Sequence, residues 1–274
     1  KATGKMPAGN YAVYNLTVSG NTITTTGGGI TGTDLQNCTL ADNRITHTGA
    51  ATETTVGILL HGSSGNLIEK NTCTALHNGL KCMDASHSNE LRSNTVTDSR
   101  SSAVCIVDSN GVEVTENTIR TGATNGIFVQ RSKKTRLLRN TIQAMGHNGI
   151  CLAEKSTAAT GSNRISGCRR YGMSSQPGTA LTTVGDRLTG NTKGQGIAQG
   201  SKNMKFSTIG STRLVGGRIR SGKNKGKIAL QWKAVPGAKQ YVLYRRDYRL
   251  VAQTKTNGVT AQSPVARAAV RIKG

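Results

Sequence analysis

The sequence repeats itself with a period of about 23 residues, and this repeat limits the possible folds more than any other feature. A signature of asparagine, then Thr or Arg, then an apolar residue recurs, with a degenerate last copy; its asparagines are Asn21, Asn43, Asn71, Asn94, Asn117, Asn140, Asn163 and Asn191. A second column, a small residue before an aliphatic one, comprises Gly29, Gly57, Gly79, Ala103, Gly126, Gly149, Gly172 and Gly196. Such units are too short for two helices and a turn, and a fixed period of this size is typical of solenoids.

Within each unit the apolar residues alternate with other residues, as in Ile127 and Val129 or Ile150 and Leu152. This alternation predicts a strand whose apolar side chains face inward. A further apolar column precedes the signature asparagines by three residues, so one unit holds three short strands. A single unit cannot bury its inner face and must stack on others. We therefore predict an all-β protein, with a right-handed parallel β-helix of about eight coils over residues 1–205.

The two columns and the cysteines are assigned structural roles. Stacked asparagines can hydrogen-bond to the coils above and below, and the glycines mark a corner that needs an unusual φ or a close backbone approach. Several of the six cysteines fall at core positions, while Cys105 and Cys151 share an outward column two coils apart. That separation, roughly 10 Å, is too long for a bond, and we predict no disulfide framework.

The repeated Asn-Thr-Ile at Asn117 and Asn140, and Asn-Gly-Ile at Asn125 and Asn148, resemble the coils of the right-handed β-helix superfamily. That superfamily includes pectate lyases, polygalacturonases, mannuronan epimerases and NosD-like repeat proteins. The resemblance covers roughly residues 10–205 and implies the fold, whereas the same scaffold carries many activities. The Asp-Pro-His of epimerases and the Asn-Thr-Asp of polygalacturonases are absent from the sequence.

The repeat columns stop after Lys205. Residues 206–227 are expected to be a basic linker, and residues 228–274 a small antiparallel β segment. Within it, Ile228–Arg246 has alternating residues on both sides of a Pro-Gly turn, which predicts two antiparallel strands. Its Leu-Gln-Trp, Val-Pro-Gly-Ala and Tyr-Val-Leu-Tyr-Arg stretches resemble part of a fibronectin type III domain. This resemblance implies a bacterial protein that is secreted or works at the cell surface.

The charge is strongly positive and is concentrated in the last part of the chain. The formal net charge is +23, and residues 206–274 carry 15 Lys and Arg but one acidic residue, Asp247. Such a surface predicts attraction to polyanions, either an acidic polysaccharide or a cell-wall polyanion. Nucleic acid is disfavoured because aromatic residues are not interleaved with the basic ones. No apolar run reaches the length of a membrane span.

Four charged side chains fall in neighbouring outward columns on consecutive coils: Lys81, Asp84, Asp108 and Arg131. We predict a groove in which Lys81 and Arg131 are catalytic and Asp84 and Asp108 hold a Ca²⁺ ion. Substrate-binding roles are predicted for three further residues, which are His61, His87 and Phe128. The alternative is a solvated ladder of inert ion pairs. His77 and His147, three coils apart, are interpreted as surface residues.

Two functions remain open from the sequence. The first is action on, or binding of, an acidic polysaccharide, as a polysaccharide lyase or a glycoside hydrolase if the protein is an enzyme. The second is a non-catalytic, adhesin-like surface protein in which the β-helix acts as a spacer. The regular coils favour the spacer, because we expect only two insertions, around Ala51–Thr55 and within Met173–Thr189.

Overall fold

A computed structural model describes residues 12–198 and six further strands between Leu214 and Lys273. The chain divides into two compact units, Lys1–Met204 and Lys205–Gly274. All the regular elements in the described residues are strands. No helix in these residues is long and apolar enough to cross a lipid bilayer.

The first unit is a right-handed parallel β-helix, as predicted, in which each of about eight coils adds one strand to each of three sheets. Sheet 1 contains β2 (Thr17–Ser19), β6 (Thr39–Ala41), β9 (Leu67–Glu69), β12 (Glu90–Arg92), β15 (Glu113–Thr115), β18 (Thr135–Leu138), β21 (Thr157–Gly161) and β24 (Ala180–Val184). Sheet 2 contains β3 (Thr22–Thr25), β7 (Arg44–His47), β10 (Thr72–Thr74), β13 (Thr95–Ser99), β16 (Thr118–Gly122), β19 (Thr141–Met145), β22 (Arg164–Ser166) and β25 (Arg187–Thr189).

Sheet 3 completes each coil. It contains β4 (Ile30–Thr33), β8 (Val56–His61), β11 (Asn78–Met83), β14 (Val104–Val107), β17 (Ile127–Gln130), β20 (Ile150–Ala153), β23 (Tyr171–Ser175) and β26 (Gly194–Ala198). A short pair, β1 (Val13–Tyr14) and β5 (Leu35–Gln36), lies beside the first coils. All these strands pair in parallel, so equivalent residues of successive coils lie in line and about 4.8 Å apart.

The core is the stack of inward side chains from the three sheets. In sheet 3, Leu60, Cys82 and Ile106 follow one another in register, and each is at most 1% exposed. The predicted alternation is therefore confirmed, because their neighbours in sequence point outward. All six cysteines are free and buried, which agrees with the prediction that they form no disulfide framework.

The predicted asparagine ladder is present. The Asn117 side-chain amide donates to Asn140 Oδ1 at 3.0 Å, and the Asn140 amide donates to Asn163 Oδ1 at 3.0 Å. The Asn140 amide also donates to the Val114 carbonyl oxygen. Each buried asparagine thus joins neighbouring coils and satisfies backbone groups that would otherwise be unpaired.

The end of the ladder differs from the prediction. Asn163 donates to Asp186 Oδ1 at 2.7 Å, whereas Asn191 accepts from the Cys168 amide in the following corner. Asp186 follows Asn163 by 23 residues. The last coil is therefore regular, and the insertion expected within Met173–Thr189 is wrong. A carboxylate oxygen accepts the same bonds as an amide oxygen, which is why Asp can replace Asn at this position. The insertion at Ala51–Thr55 is confirmed in the long connection between β7 and β8.

Two further features fix the corners. A Cβ on Gly149 would collide with Ile165 of the next coil and lie 2.7 Å from the Gly172 carbonyl oxygen. Glycine is therefore needed in this column because neighbouring coils approach each other closely here. Between sheets 3 and 1, Ser109 and Ser132 belong to a buried serine ladder in which the Ser109 amide donates to the Ser132 hydroxyl at 2.9 Å. The serine ladder was not predicted, and it anchors the turn next to the predicted charged residues.

The second unit contains two three-stranded antiparallel sheets. One pairs β28 (Ile228–Trp232) with β27 (Leu214–Arg218) and β31 (Gly258–Ala261). The other pairs β29 (Gln240–Arg245) with β30 (Leu250–Thr254) and β32 (Ala268–Lys273). The two strands expected around the Pro-Gly turn are present, but they pair in different sheets. The strands begin earlier than expected, at Leu214 in the segment assigned to a linker. The fibronectin type III resemblance stays a prediction.

Candidate functional site

The outer face of sheet 3 carries a groove of about 470 Å³. One side is formed by outward side chains of β11, β14 and β17, and the other by the corner between sheets 2 and 3. The lining residues are His77, Asn78, Lys81, Met83, Ser101, Ser102, Cys105, Val107, Thr124, Asn125, Phe128, Gln130 and His147. The groove follows the axis of the β-helix over four coils, because equivalent positions of these coils are in register.

The floor of the groove is the column that contains Lys81, Cys105 and Phe128. Parallel register places Lys81 beside Cys105 and Cys105 beside Phe128 on successive strands. Burial raises the pKa of the Cys105 thiol to about 11, so this thiol is protonated near neutral pH. The floor therefore combines one ammonium group with one aromatic ring and a neutral thiol.

The corner wall is polar and is organised by hydrogen bonds. The Asn125 amide donates to the Ser102 hydroxyl at 3.3 Å, and the Asn148 amide donates to Asn125 Oδ1 at 3.1 Å. The Ser102 and Thr124 hydroxyl groups are 3.1 Å apart. Such linked hydroxyl and amide groups can donate to, or accept from, the hydroxyl groups of a ligand.

His77 and His147 lie in this wall, at either end of the groove. Burial, and then the neighbouring Arg170 charge, lower the pKa of His147. The interpretation of both histidines as mere surface residues missed this placement. The signal that could have revealed it was their position in the corner column directly before the strands of sheet 3.

A charged network lies at the other edge of sheet 3. Arg131 makes a two-point contact with Asp108, at 2.8 and 2.9 Å, and donates to Glu154 at 2.6 Å. The hydrogen bond from Arg131 lowers the pKa of Asp108, and the same guanidinium lowers the pKa of Glu154. Gln130, which lines the groove, donates to Glu154 at 2.6 Å. The network is therefore connected to the groove through Gln130.

The remaining predicted residues lie in the same corner and the turn after it. His61 Nε2 is 2.9 Å from Asp84 Oδ2. The His87 Nδ1 atom accepts from the Asn110 backbone amide at 2.9 Å, which fixes the ring in its turn. Asp84, Asp108 and Arg131 all adopt positive φ, and this shared corner conformation keeps them in line.

The structure thus brings the seven predicted site residues to one side of the β-helix, in two groups. Lys81 and Phe128 line the groove, whereas the other five belong to the ion pairs and turn beside it: His61, Asp84, His87, Asp108 and Arg131. Sequence reasoning did not include Glu154 in the site, although it lies one coil beyond Arg131 in the same column.

The sequence model of the family described as periplasmic copper-binding protein (NosD) matches residues 8–166 and 96–228. No curated protein matches the chain. The A-module of mannuronan C-5 epimerase AlgE4 from Azotobacter vinelandii is 13% identical over 70% of this chain and 57% of that chain, with a TM-score of 0.58. The periplasmic alginate epimerase AlgG is 17% identical over 63% of this chain and 50% of that chain, with a TM-score of 0.46.

The chain therefore spans about half the length of the solved structures that it matches. The identities are low, so the AlgE4 match supports the parallel β-helix fold alone. The family match is broader, since residues 8–166 already make up more than half of the sequence. The chain belongs to the NosD family of periplasmic copper-binding proteins.

Proposed function

We propose that this protein binds an acidic polysaccharide in the groove on the outer face of sheet 3, with the polymer along the β-helix axis. The observation that carries the proposal is the floor of the groove, where Lys81 and Phe128 lie in one column beside the polar corner wall. The ammonium group of Lys81 can pair with a sugar carboxylate. The Phe128 ring offers an apolar surface for the sugar's C–H groups, and the corner amides and hydroxyls can hydrogen-bond its hydroxyls.

The ligand class is proposed by analogy with AlgE4. It is described as a mannuronan C-5 epimerase, and mannuronan is a uronic-acid polymer. A carboxylated polymer also agrees with the excess of Lys and Arg in this chain. The family is described as periplasmic, and we propose that this protein acts in the periplasm or outside the cell.

Catalysis is the second candidate, and the position of Lys81 in the groove favours it. In a lyase reaction, the Lys81 amine would take the proton from the carbon beside the uronate carboxylate. The glycosidic C–O bond would break as a C=C bond forms, and the proton would end on the leaving oxygen. Arg131 would stabilise the charge on the carboxylate. For this role Arg131 would have to release Asp108 or Glu154, which both hold it in the ligand-free arrangement.

The calcium site at Asp84 and Asp108 also stays a proposal. Asp84 contacts His61, and both oxygens of Asp108 accept from Arg131. A Ca²⁺ ion would therefore have to replace His61 and Arg131 as the partners of these carboxylates. A calcium titration of the wild type and of Asp84→Asn, followed by calorimetry, would test the assignment.

Copper, which the family description names, does not fit the described residues as a preformed site. Among residues 12–198 no three His, Cys, Asp or Glu side chains converge on one point. His77 and His147 lie at opposite ends of the groove, and burial keeps the Cys105 thiol protonated near neutral pH. We therefore derive no step through copper.

Calorimetry with the full chain and a defined oligouronate tests the proposed function. We expect Lys81→Ala and Phe128→Ala each to weaken binding by about tenfold, because each removes a contact that involves a charge or an aromatic surface. Lys70→Ala is the matched control, since Lys70 is exposed at the corner between sheets 1 and 2. Equal affinities for the wild type and the Lys81 and Phe128 variants would refute the groove as the binding site.

An activity assay separates binding from catalysis. The full chain is incubated with uronic-acid polymers, and the ultraviolet absorbance of unsaturated products is followed. If the chain is a lyase, Lys81→Ala and Arg131→Ala should lose turnover by orders of magnitude. Binding without turnover of these polymers would favour a non-catalytic glycan-binding protein, and no binding would favour the spacer.

A further inference from the structure

The arginines of sheets 1 and 3 follow a simple rule in the middle of the β-helix. Each pairs with a carboxylate one coil earlier, 23 residues before it in the chain. The pairs are Glu69–Arg92, Asp108–Arg131, Glu113–Arg136 and Glu116–Arg139. Each of these four arginines is therefore neutralised by a stacked anion.

The arginines of sheet 2 form no ion pair among the described residues, and at the last coils two of them are stacked. Arg164 and Arg187 lie directly beside each other on β22 and β25, and both are exposed. At the following corner the Lys193 backbone amide donates to the Arg170 carbonyl oxygen, so these two residues are also stacked one coil apart. Arg169 lies exposed beside Arg170. We call these five residues the terminal basic patch.

Carboxylates to neutralise the terminal basic patch are scarce in this part of the chain. None of the five side chains forms an ion pair within the described residues. After Glu154 the whole sequence contains two acidic residues, Asp186 and Asp247. Asp186 accepts hydrogen bonds from Asn163 and Thr160 in the ladder. Like charges placed directly opposite each other in a sheet are destabilising, so an external anion would relieve a real cost.

We propose that the terminal basic patch is a second binding surface, separate from the groove, for the carboxylate groups of an acidic polysaccharide. Successive strands place cations about 4.8 Å apart along the axis, so a polymer parallel to the axis can meet one cation per coil. The planar guanidinium groups of Arg164, Arg170 and Arg187 can each take a carboxylate at two points. Threonines on the same outer face, such as Thr141 beside Arg164 and Thr189 beside Ser166, can hydrogen-bond sugar hydroxyls.

Two observations favour a polysaccharide over a nucleic acid. The strands of sheet 2, β3 to β25, present no exposed aromatic ring, and beside the patch the half-buried Tyr171 is a single ring rather than a series on which successive bases could stack. The family is periplasmic, which separates the protein from the cell's nucleic acids. The choice of a uronate polymer rests on the proposed function, whereas the anion-binding surface itself does not depend on the groove.

The test compares two double variants of the full chain with the same change in net charge. Arg164→Glu with Arg170→Glu alters the terminal basic patch. Lys133→Glu with Lys134→Glu alters two exposed lysines in the turn between sheets 3 and 1. We expect the first variant to bind a long polyuronate at least about tenfold more weakly than the second, because each lost guanidinium removes a charged hydrogen-bonding group. Equal weakening in both variants would mean general attraction by the basic chain and would overturn the proposal.

Two further arms complete the experiment. A duplex DNA of the same charge should show no such difference between the variants. A difference for DNA and none for polyuronate would assign the patch to nucleic acid instead.

Single Arg164→Glu should raise the Tm by about 1–3 °C, because it creates a stacked Glu–Arg pair like those found elsewhere in the β-helix. An oligouronate too short to leave the groove should bind the patch variant as it binds the wild type. Equal binding of this short oligouronate by the wild type and Lys81→Ala would refute the groove, and it would leave the patch standing if the patch variant still binds the long polymer more weakly.

Discussion

At the residue scale, the buried side-chain amides form the hydrogen bonds between coils that backbone pairing cannot form at a turn. Asn140 accepts from the backbone and side-chain amides of Asn117 and donates to Val114 and Asn163. Its exposed surface is 0%, so water cannot replace any of these bonds. Each position of the ladder therefore depends on an amide or a carboxylate of the right size.

Replacement of Asn140 by alanine should be costly. We expect Asn140→Ala to lower the free energy of unfolding by about 2–4 kcal/mol, because several buried polar groups lose their partners. Asn21→Ala is the matched control: Asn21 is the exposed first member of the ladder, and water can solvate the groups that it leaves. Urea denaturation measures both. Equal losses for the two variants would contradict the role assigned to the buried ladder.

His147 should make the folding stability depend on pH. Burial lowers its pKa in the folded state, so the unfolded chain binds more protons just below the ordinary histidine pKa of about 6.5. Its contribution is therefore present above that value and is lost as the pH falls. We expect the Tm of the wild type to drop more between pH 7.5 and about pH 5.5 than the Tm of His147→Asn. Calorimetry checks this, and parallel curves for the two proteins would count against it.

At the element scale, the coil is the unit that organises charge. Arg131 bridges Asp108 and Glu154 because the parallel register stacks the same corner of three coils. The sequence predicted this alignment for Asp108 and Arg131 from the spacing alone. It did not predict how the side chains divide into pairs, since that depends on rotamers and corner conformation. The prediction placed Asn191 instead of Asp186 in the last coil of the ladder for a related reason. Asp186 does not match an asparagine pattern, although its oxygen accepts the same hydrogen bonds.

The Arg131 network gives a prediction that does not depend on function. Arg131→Ala should raise the pKa of the Asp108 carboxyl toward its ordinary value, because the main cause of the lowered pKa is the hydrogen bond from Arg131. A carboxyl whose folded pKa is depressed contributes stability above its unfolded pKa and loses it as the pH falls. NMR titration of the Asp108 carboxyl carbon measures the change. Lys133→Ala, two residues away in the chain, should leave this titration unaltered, and an unchanged Asp108 curve in Arg131→Ala would refute the assignment.

At the scale of the whole molecule, the period of the sequence determines the architecture, and the function depends on what the stacking assembles. The 23-residue repeat, the alternation, the asparagine column and the small-residue column were sufficient to predict the parallel β-helix and its core. The groove was only partly predictable, because His77, Ser102 and Phe128 come from three coils and meet through register. Lys81 and Phe128 were found from their outward column, whereas the polar wall was missed because corner residues carry no periodic apolar signal.

The most direct test of the central claim uses the methionine methyl groups. Met83 lines the groove, whereas Met145 and Met173 are fully buried in the core. The full chain is labelled with ¹³C at its methionine methyls, the Met83 signal is assigned with Met83→Leu, and an oligouronate is added. We predict a saturable shift of the Met83 signal, little change at Met145 and Met173, and no shift with a neutral glucan. Saturable binding of the oligouronate with an unmoved Met83 signal would contradict the placement of the polysaccharide in the groove on sheet 3.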